Sequence, residues 1–206
     1  ASPKWVMEGA IKGCFDNISH NWLIYNVRMD KGILQKWLKA GYVDMNRLFP
    51  TSAGTPQGGI ISPVLANLAL DGLQNELKTL FKTVREARAA KVNFVRYADD
   101  FIITASSKEL LEERVKPLVR DFLLKRGLIL SEEKTKITHV SECFDFLGWS
   151  VRYRKDVLLT EPSKQNTKAF LNKIRTTLRE MRTAKQEEVI DKLTPIIRGW
   201  ANYHRT

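Results

Sequence analysis

Cysteine is scarce, with two in 206 residues, Cys14 and Cys143. Two distant thiols make neither a disulfide framework nor a metal-ligand spacing, so reduced, half-buried side chains are expected. No apolar run is long enough to span a bilayer, and no signal-peptide pattern opens the chain. An intracellular protein, not a membrane one, is the expectation. Internal repeats and low-complexity tracts are also lacking. Acidic residues are the other shortage: 23 Asp and Glu stand against 34 Lys and Arg, a net charge of +11 with a pI near 9.7. That balance favours a polyanionic partner, nucleic acid first and an anionic membrane surface second. The surplus is uneven, because residues 152–206 hold 13 Lys and Arg and only 6 Asp and Glu.

What remains is ordinary for a folded protein, 43% hydrophobic and 28% charged, and 206 residues suffice for one large domain or two small ones. Residues 5–12 read as a strand, with Val6, Met7, Ala10 and Ile11 apolar. The chain thus opens almost directly on a core element, which suggests a piece of something longer. Ser19 and Asp30 are candidate caps for two helices, the second ended by Gly41. Residues 48–59 form a Gly/Pro-rich loop. Ser62 as N-cap and Pro63 as first-turn proline then open a helix whose Leu65, Ala69, Leu73, Leu77 and Leu80 repeat at helical spacing. Residues 82–91 are polar and basic, and read as a loop. Ser106 and Glu109 form a capping-box pattern for a helix to about Arg126, in which Pro117 predicts a kink. Short strands are expected at 128–130, 136–140 and 144–151. Pro162 and Ser163 mark a boundary before two helices, the last interrupted near Pro195. This order predicts an α+β fold: an antiparallel sheet flanked by helices over 1–160, then a small α-helical module over 161–206.

The chemically loaded stretch is 94–105. Two β-prone runs flank Ala98-Asp99-Asp100, which reads as a hairpin with two carboxylates at its tip. Adjacent carboxylates repel, and a hard divalent cation relieves that best. An acidic turn with no ligand satisfies the same residues.

Around this hairpin several motifs fall in order. They are Trp5-Val-Met-Glu-Gly-Ala-Ile-Lys-Gly-Cys-Phe-Asp-Asn-Ile-Ser-His20, Gly54-Thr-Pro-Gln-Gly-Gly-Ile-Ile-Ser-Pro-Val-Leu-Ala-Asn67, Phe94-Val-Arg-Tyr-Ala-Asp-Asp-Phe101, Gly127-Leu-Ile-Leu-Ser-Glu-Glu-Lys-Thr-Lys-Ile137, Phe144-Asp-Phe-Leu-Gly148 and Arg198-Gly-Trp-Ala-Asn-Tyr-His-Arg205. The chain resembles bacterial group II intron-encoded reverse transcriptases. The resemblance implies a right-hand fold, here the palm and part of the thumb, with nothing of the fingers region in the sequence. It implies RNA-directed DNA synthesis using two Mg²⁺ ions, which activate the primer 3′-hydroxyl and stabilise the leaving pyrophosphate. It implies RNA template or intron RNA, DNA primer and deoxynucleotides as partners, and a cytoplasmic ribonucleoprotein in a bacterium. Exposed palm surface would allow self-association.

By the same resemblance Asp99 and Asp100 are metal ligands and Lys134 lies near the leaving pyrophosphate. Ile11, Phe15 and Gln57 meet the nucleotide, Phe15 as an aromatic gate against a 2′-hydroxyl. Phe146, Leu147 and Gly148 support the primer terminus. Lys164, Lys168, Arg175, Arg179 and Arg182 offer a basic helical face to phosphates. Each has a plainer reading as core, turn or solvated surface. Trp200, Tyr203 and His204 either stack on RNA or pack the last helix, and packing is favoured for Trp200. One departure matters: the family's third carboxylate falls at Ala10, which cannot bind metal. Asp16 lies past the strand and Glu8 a full repeat back. Polymerase activity is therefore expected to be absent or severely reduced. The alternative is a non-catalytic, RNA-binding maturase-like fragment that assists intron folding.

Overall fold

The computed structural model describes residues 2–205 except 45–46, 50–52, 56–58 and 156, and the side chains of 42–44 and 47–49 are not described. The chain divides into two compact units, Ala1–His139 and Val140–Thr206.

In the first unit, β1 (Trp5–Gly9) is followed after Ala10 by β2 (Ile11–Lys12), so the single strand expected over 5–12 is broken at Ala10. Three helices follow, α1 (Cys14–Asn17), α2 (His20–Asn26) and α3 (Lys31–Lys39). The Ser19 and Asp30 side chains cap α2 and α3 as expected, accepting from the Trp22 and Ile33 amides. A small ribbon, β3 (Tyr42–Asp44) with β4 (Arg47–Phe49), comes next. Ser62 is the first residue of the helix and not its N-cap, a position held by Ile61, and the helix does not run to Leu80. It is α4 (Ser62–Leu70), then Asp71-Gly72, then α5 (Leu73–Thr79). Gly72 adopts φ 91 at the break, a conformation nearly free for glycine only. The apolar stripe survives the break: Leu65, Ala69, Leu73 and Leu77 are all buried. The basic segment expected as a loop contains α6 (Val84–Ala90), capped by Thr83. Its helical signal was hidden because it buries only Ala90.

The acidic hairpin is β5 (Asn93–Tyr97) and β6 (Asp100–Ala105). Ser107, not Ser106, caps the next helix, α7 (Lys108–Leu110). Instead of a simple kink, Leu111–Val115 forms a π-helical stretch that leads into α8 (Lys116–Leu124). Pro117 has no N–H and its ring crowds the carbonyl four residues back, and a widened turn relieves both. Then come β7 (Ile129–Leu130) and β8 (Lys136–His139). The main sheet is antiparallel, in the order β5-β6-β1-β8. β2 leaves it to pair with β7. Met7, Phe101 and Ile103 of this sheet share one apolar core with Leu65, Leu73, Leu111, Val119 and Leu123.

The second unit begins with β9 (Phe144–Phe146), β10 (Trp149–Arg154) and β11 (Val157–Pro162), an antiparallel sheet in the order β11-β10-β9. The strand expected over 144–151 is therefore a hairpin, turned at Leu147 and Gly148, both at positive φ. The helices α9 (Lys164–Glu180) and α10 (Gln186–Tyr203) complete the unit. Ser163 caps α9. Pro195 does not interrupt α10. It lies on the exposed side, where water can take the carbonyl that a proline leaves unbonded. Among the described residues no helix is long and apolar enough to cross a membrane.

Candidate active site

The site is assembled where β1 ends. β1 pairs with β6 in a register that ends at Gly9↔Phe101. Ala10 follows Gly9 and Asp100 precedes Phe101 in the chain, so both stand at this end of the pair. The β5–β6 hairpin closes at Tyr97↔Asp100, leaving Ala98 and Asp99 as a two-residue tip. Ala98 sits at φ 52, where a side chain costs about 1–2 kcal/mol. Asp99 is half-buried and Asp100 exposed. Partial desolvation raises the Asp100 pKa above the usual Asp value, the Asp99 charge raises it further, and Lys134 opposes both.

Lys134 reaches this neighbourhood on a turn fixed at two points. The Ser131 amide donates to the Ala10 carbonyl at 2.8 Å and the Thr135 amide to Ser131 O at 2.9 Å. Glu132 binds Lys116 and Arg120 on α8, each at 2.6 Å. Those two partners hold the Glu132 carboxyl below its usual pKa. The structure thus brings Asp99, Asp100, Lys134 and Ala10 together.

Phe15, on α1, is half-buried against the core. Its carbonyl accepts the Thr55 amide at 2.6 Å, and Ile18 O accepts the Gly54 amide at 2.8 Å. A Cβ on Gly54 would lie 2.3 Å from Phe15 O, so only glycine lets the loop approach α1 this closely. The start of the Gly/Pro loop is therefore seated beside Phe15, while Gln57 lies outside the described residues. Ile11 is 7% exposed and paired with Leu130. Its side chain belongs to the core, so only its backbone is on offer to a nucleotide.

In the second unit, Phe146 ends β9 while Leu147 and Gly148 form the turn. Tyr203 Oη donates to Leu147 O at 2.6 Å, and the Ser163 amide donates to Gly148 O at 2.9 Å. Asn166 is the hub that sequence reasoning missed. Its Oδ1 accepts from Trp200 Nε1 at 2.9 Å, and His204 Nε2 lies 3.4 Å from the same oxygen. Trp200 also stacks on Phe170 at 4.5 Å between centroids. These aromatic side chains make intramolecular contacts, as expected for Trp200. Nothing in the local sequence around Asn166 signals a partner 34 positions away. Lys164, Lys168, Arg175 and Arg179 are exposed along α9. Arg182 is exposed too, but lies just past the helix end.

A two-cation site needs several converging carboxylates. The donor set does not meet that need. Asp99 and Asp100 give two carboxylates and Ala10 gives none. Among the described residues no group of three or more His, Cys, Asp or Glu side chains could hold a metal ion. Glu8 does not fill the gap, since its register sets it across from Ile102 and Lys136, back along the sheet.

An acid-tipped hairpin in an antiparallel sheet, with helices behind it, is the architecture of a polymerase palm, and comparison with known proteins gives the class. The family model described as reverse transcriptase (RNA-dependent DNA polymerase) matches residues 1–151. The group II intron maturase-specific domain model matches residues 167–206. The group II intron-encoded protein LtrA of Lactococcus lactis is 33% identical, over 78% of this chain and 37% of that protein. Protein YkfC of Escherichia coli is 30% identical, over 70% of this chain and 46% of that protein. Telomerase from Candida tropicalis, solved with a TWJ fragment of telomeric RNA, superposes with a TM-score of 0.60 at 14% identity, over 96% of this chain and 38% of that one. That likeness shows the fold. The chain belongs to the reverse transcriptase family, in its group II intron branch. It spans less than half the length of these relatives.

Proposed function

We propose that this chain is the palm and part of the thumb of a group II intron reverse transcriptase, built for RNA but unable to complete nucleotidyl transfer as written. The observation that carries the reading is the β1–β6 register, which ends at Gly9↔Phe101 and so leaves Ala10 and Asp100 at the same end of the pair. The family chemistry calls for a third carboxylate there. Asp99 and Asp100 keep the rest of the donor set, and Lys134 keeps a cation beside Asp100. Phe15 and the loop from Gly54 to Gly59, Gln57 included, would face the nucleotide. Phe146, Leu147 and Gly148 would support the primer end. The functional division is a palm over 1–160 and a partial thumb over 161–206.

RNA binding is the activity left to such a chain. Lys164, Lys168, Arg175 and Arg179 recur at spacings of four, seven and four. At about 100° per residue that places them in one stripe along α9, with Arg182 in line beyond it. Such a stripe follows phosphates without reading bases. A maturase-like role in folding intron RNA is the reading this surface favours.

The test is a pair of measurements on this chain and on Ala10→Asp. Mn²⁺ titration should show weak binding for the first and tighter binding for the second. Mg²⁺-dependent primer extension on an RNA template should be undetectable for the first. Robust synthesis by the Ala10 chain would overturn the inactivity. Replacing Lys164, Lys168 and Arg175 by Gln should lower the salt slope of RNA binding by about two to three. No RNA binding at physiological salt would remove the maturase-like role.

A further inference from the structure

Asp99 and Asp100 ride on a tip that its own sheet holds poorly. β5 is the edge strand of the main sheet, so the hairpin is paired on one side only. The two-residue turn carries alanine at φ 52, where hairpins ordinarily use Asn or Gly. A residue strained in this way persists only when its surroundings hold it there. The direction of both carboxylates depends on this turn, because they follow Ala98 directly in the chain.

One side chain reaches across it. Arg96, half-buried on β5, donates from Nη1 to the Ala98 carbonyl at 2.9 Å and to Asn67 Oδ1 at 2.9 Å. Nη1 carries two hydrogens, so one nitrogen satisfies both acceptors. Asn67 belongs to α4, whose neighbours Leu65, Ala66, Ala69 and Leu70 are buried in the core. The strained tip is thereby tied to a packed helix. The Arg96 charge also acts on the buried Cys14 thiol together with the charges of Asp99 and Asp16, so the guanidinium stands within electrostatic range of the acid site.

We infer that Arg96 and Asn67 form a positioning clamp that fixes the Ala98 carbonyl, and through it aims Asp99 and Asp100. The clamp joins two stretches that lie apart in sequence, Asn67 on α4 and Arg96 on the acid-tipped hairpin. Arginine suits the place, since its planar fork is pre-organised for two acceptors, whereas a lysine ammonium is a flexible point charge. This inference rests on the reading of Asp99 and Asp100 as cation ligands, and its test separates the two.

Amide hydrogen exchange in the metal-free protein reads the clamp alone. Arg96→Met and Asn67→Ala should each speed exchange at the Ala98, Asp99 and Asp100 amides. Amides in the middle of β1 and the overall melting temperature should change far less. Mn²⁺ titration in the Ala10→Asp background reads the consequence. Each variant should weaken binding by about tenfold, the low end for residues that orient metal ligands. The double variant should be little worse than either single one, and Arg96→Lys should recover part of the loss. Asp100→Asn is the control: if it leaves Mn²⁺ binding intact, the cation reading fails, while tip exchange still judges the clamp. If Asp100→Asn abolishes binding and Arg96→Met changes neither tip exchange nor affinity, the clamp is refuted. Uniformly faster exchange across the whole sheet would also refute it, because Arg96 would then be supporting the fold generally.

Discussion

Gly9→Ala adds one methyl group at the end of β1, beside the acid-tipped hairpin. Gly9 is the last residue of β1 and pairs with Phe101, the neighbour of Asp100. A Cβ there would lie 2.2 Å from both Cε2 and Cζ of the Phe101 ring and 3.0 Å from Cδ2. The ring has little room to yield: Phe101 is 2% exposed, and Phe94 stands 6.0 Å away, centroid to centroid. Overpacking of this kind costs about 1–3 kcal/mol. Alanine regains about 0.5–1 kcal/mol by restricting the unfolded chain. The net expectation is a loss of about 1–2 kcal/mol, or about 2–8 °C in melting temperature for a chain of this size. Urea unfolding followed by circular dichroism measures it. The steric account makes a sharper demand on the double variant. Phe101→Leu removes the ring atoms that clash, so Gly9→Ala should cost at least about 1 kcal/mol less in that background. If Gly9→Ala is neutral, or if the two losses simply add, the reasoning fails.

Three other outcomes follow from the charged and thiol groups. Asp100 has a folded pKa raised by desolvation and by Asp99, so its ionised form is disfavoured in the fold. Stability is therefore lost as pH rises through that raised value, and Asp100→Asn should raise the melting temperature at pH 7 but not at pH 3. Glu132 is the opposite case, with a folded pKa lowered by hydrogen bonds from Lys116 and Arg120. Its contribution is present above the ordinary Glu pKa and fades as pH falls through the lowered one. Thermal melts from pH 7 to pH 3 should accordingly show a shallower acid decline for Glu132→Gln. Burial, then the Asp99 charge, pushes the Cys14 thiol up to about 11, whereas Cys143 is exposed. Iodoacetamide at pH 8 should modify one thiol quickly, and peptide mapping should find it at Cys143.

Helix starts were legible in the sequence because a cap is a local device. Ser19 and Asp30 each bond an amide three residues on. The acidic hairpin was legible too, since β-branched and aromatic runs flank it. The same local logic chose Ser106 over Ser107, two hydroxyls that spacing alone does not separate. Helix α6 escaped because its apolar residues, Val84 and three alanines, bury only Ala90 and so draw no core stripe. The hairpin of β9 and β10 escaped because an apolar run shows its burial but not its turn, and Leu147 is not a residue that announces positive φ. At the site, Asp99, Asp100, Lys134 and the missing carboxylate at Ala10 could be read through family resemblance. Arg96 and Asn67 lie within the motifs, but their bond to each other could not be read there, and Asn166 lies in no motif. Each works through a single long-range bond, and one arginine or asparagine among many carries no mark of its partner.

The turn at Leu147 and Gly148 has a consequence for the order in which the protein is made. Its backbone is held by Ser163 and by the hydroxyl of Tyr203. The second of these is synthesised 56 residues later. At about 5–20 residues per second, the turn waits on the order of several seconds for the side chain that secures it. Through that interval the turn has only the three-stranded β11-β10-β9 ladder and the Ser163 amide to hold it, and a small sheet without a helix packed on it is weakly stable in water. The second unit is thus completed from its far end, when Trp200 and Tyr203 close on residues made long before them.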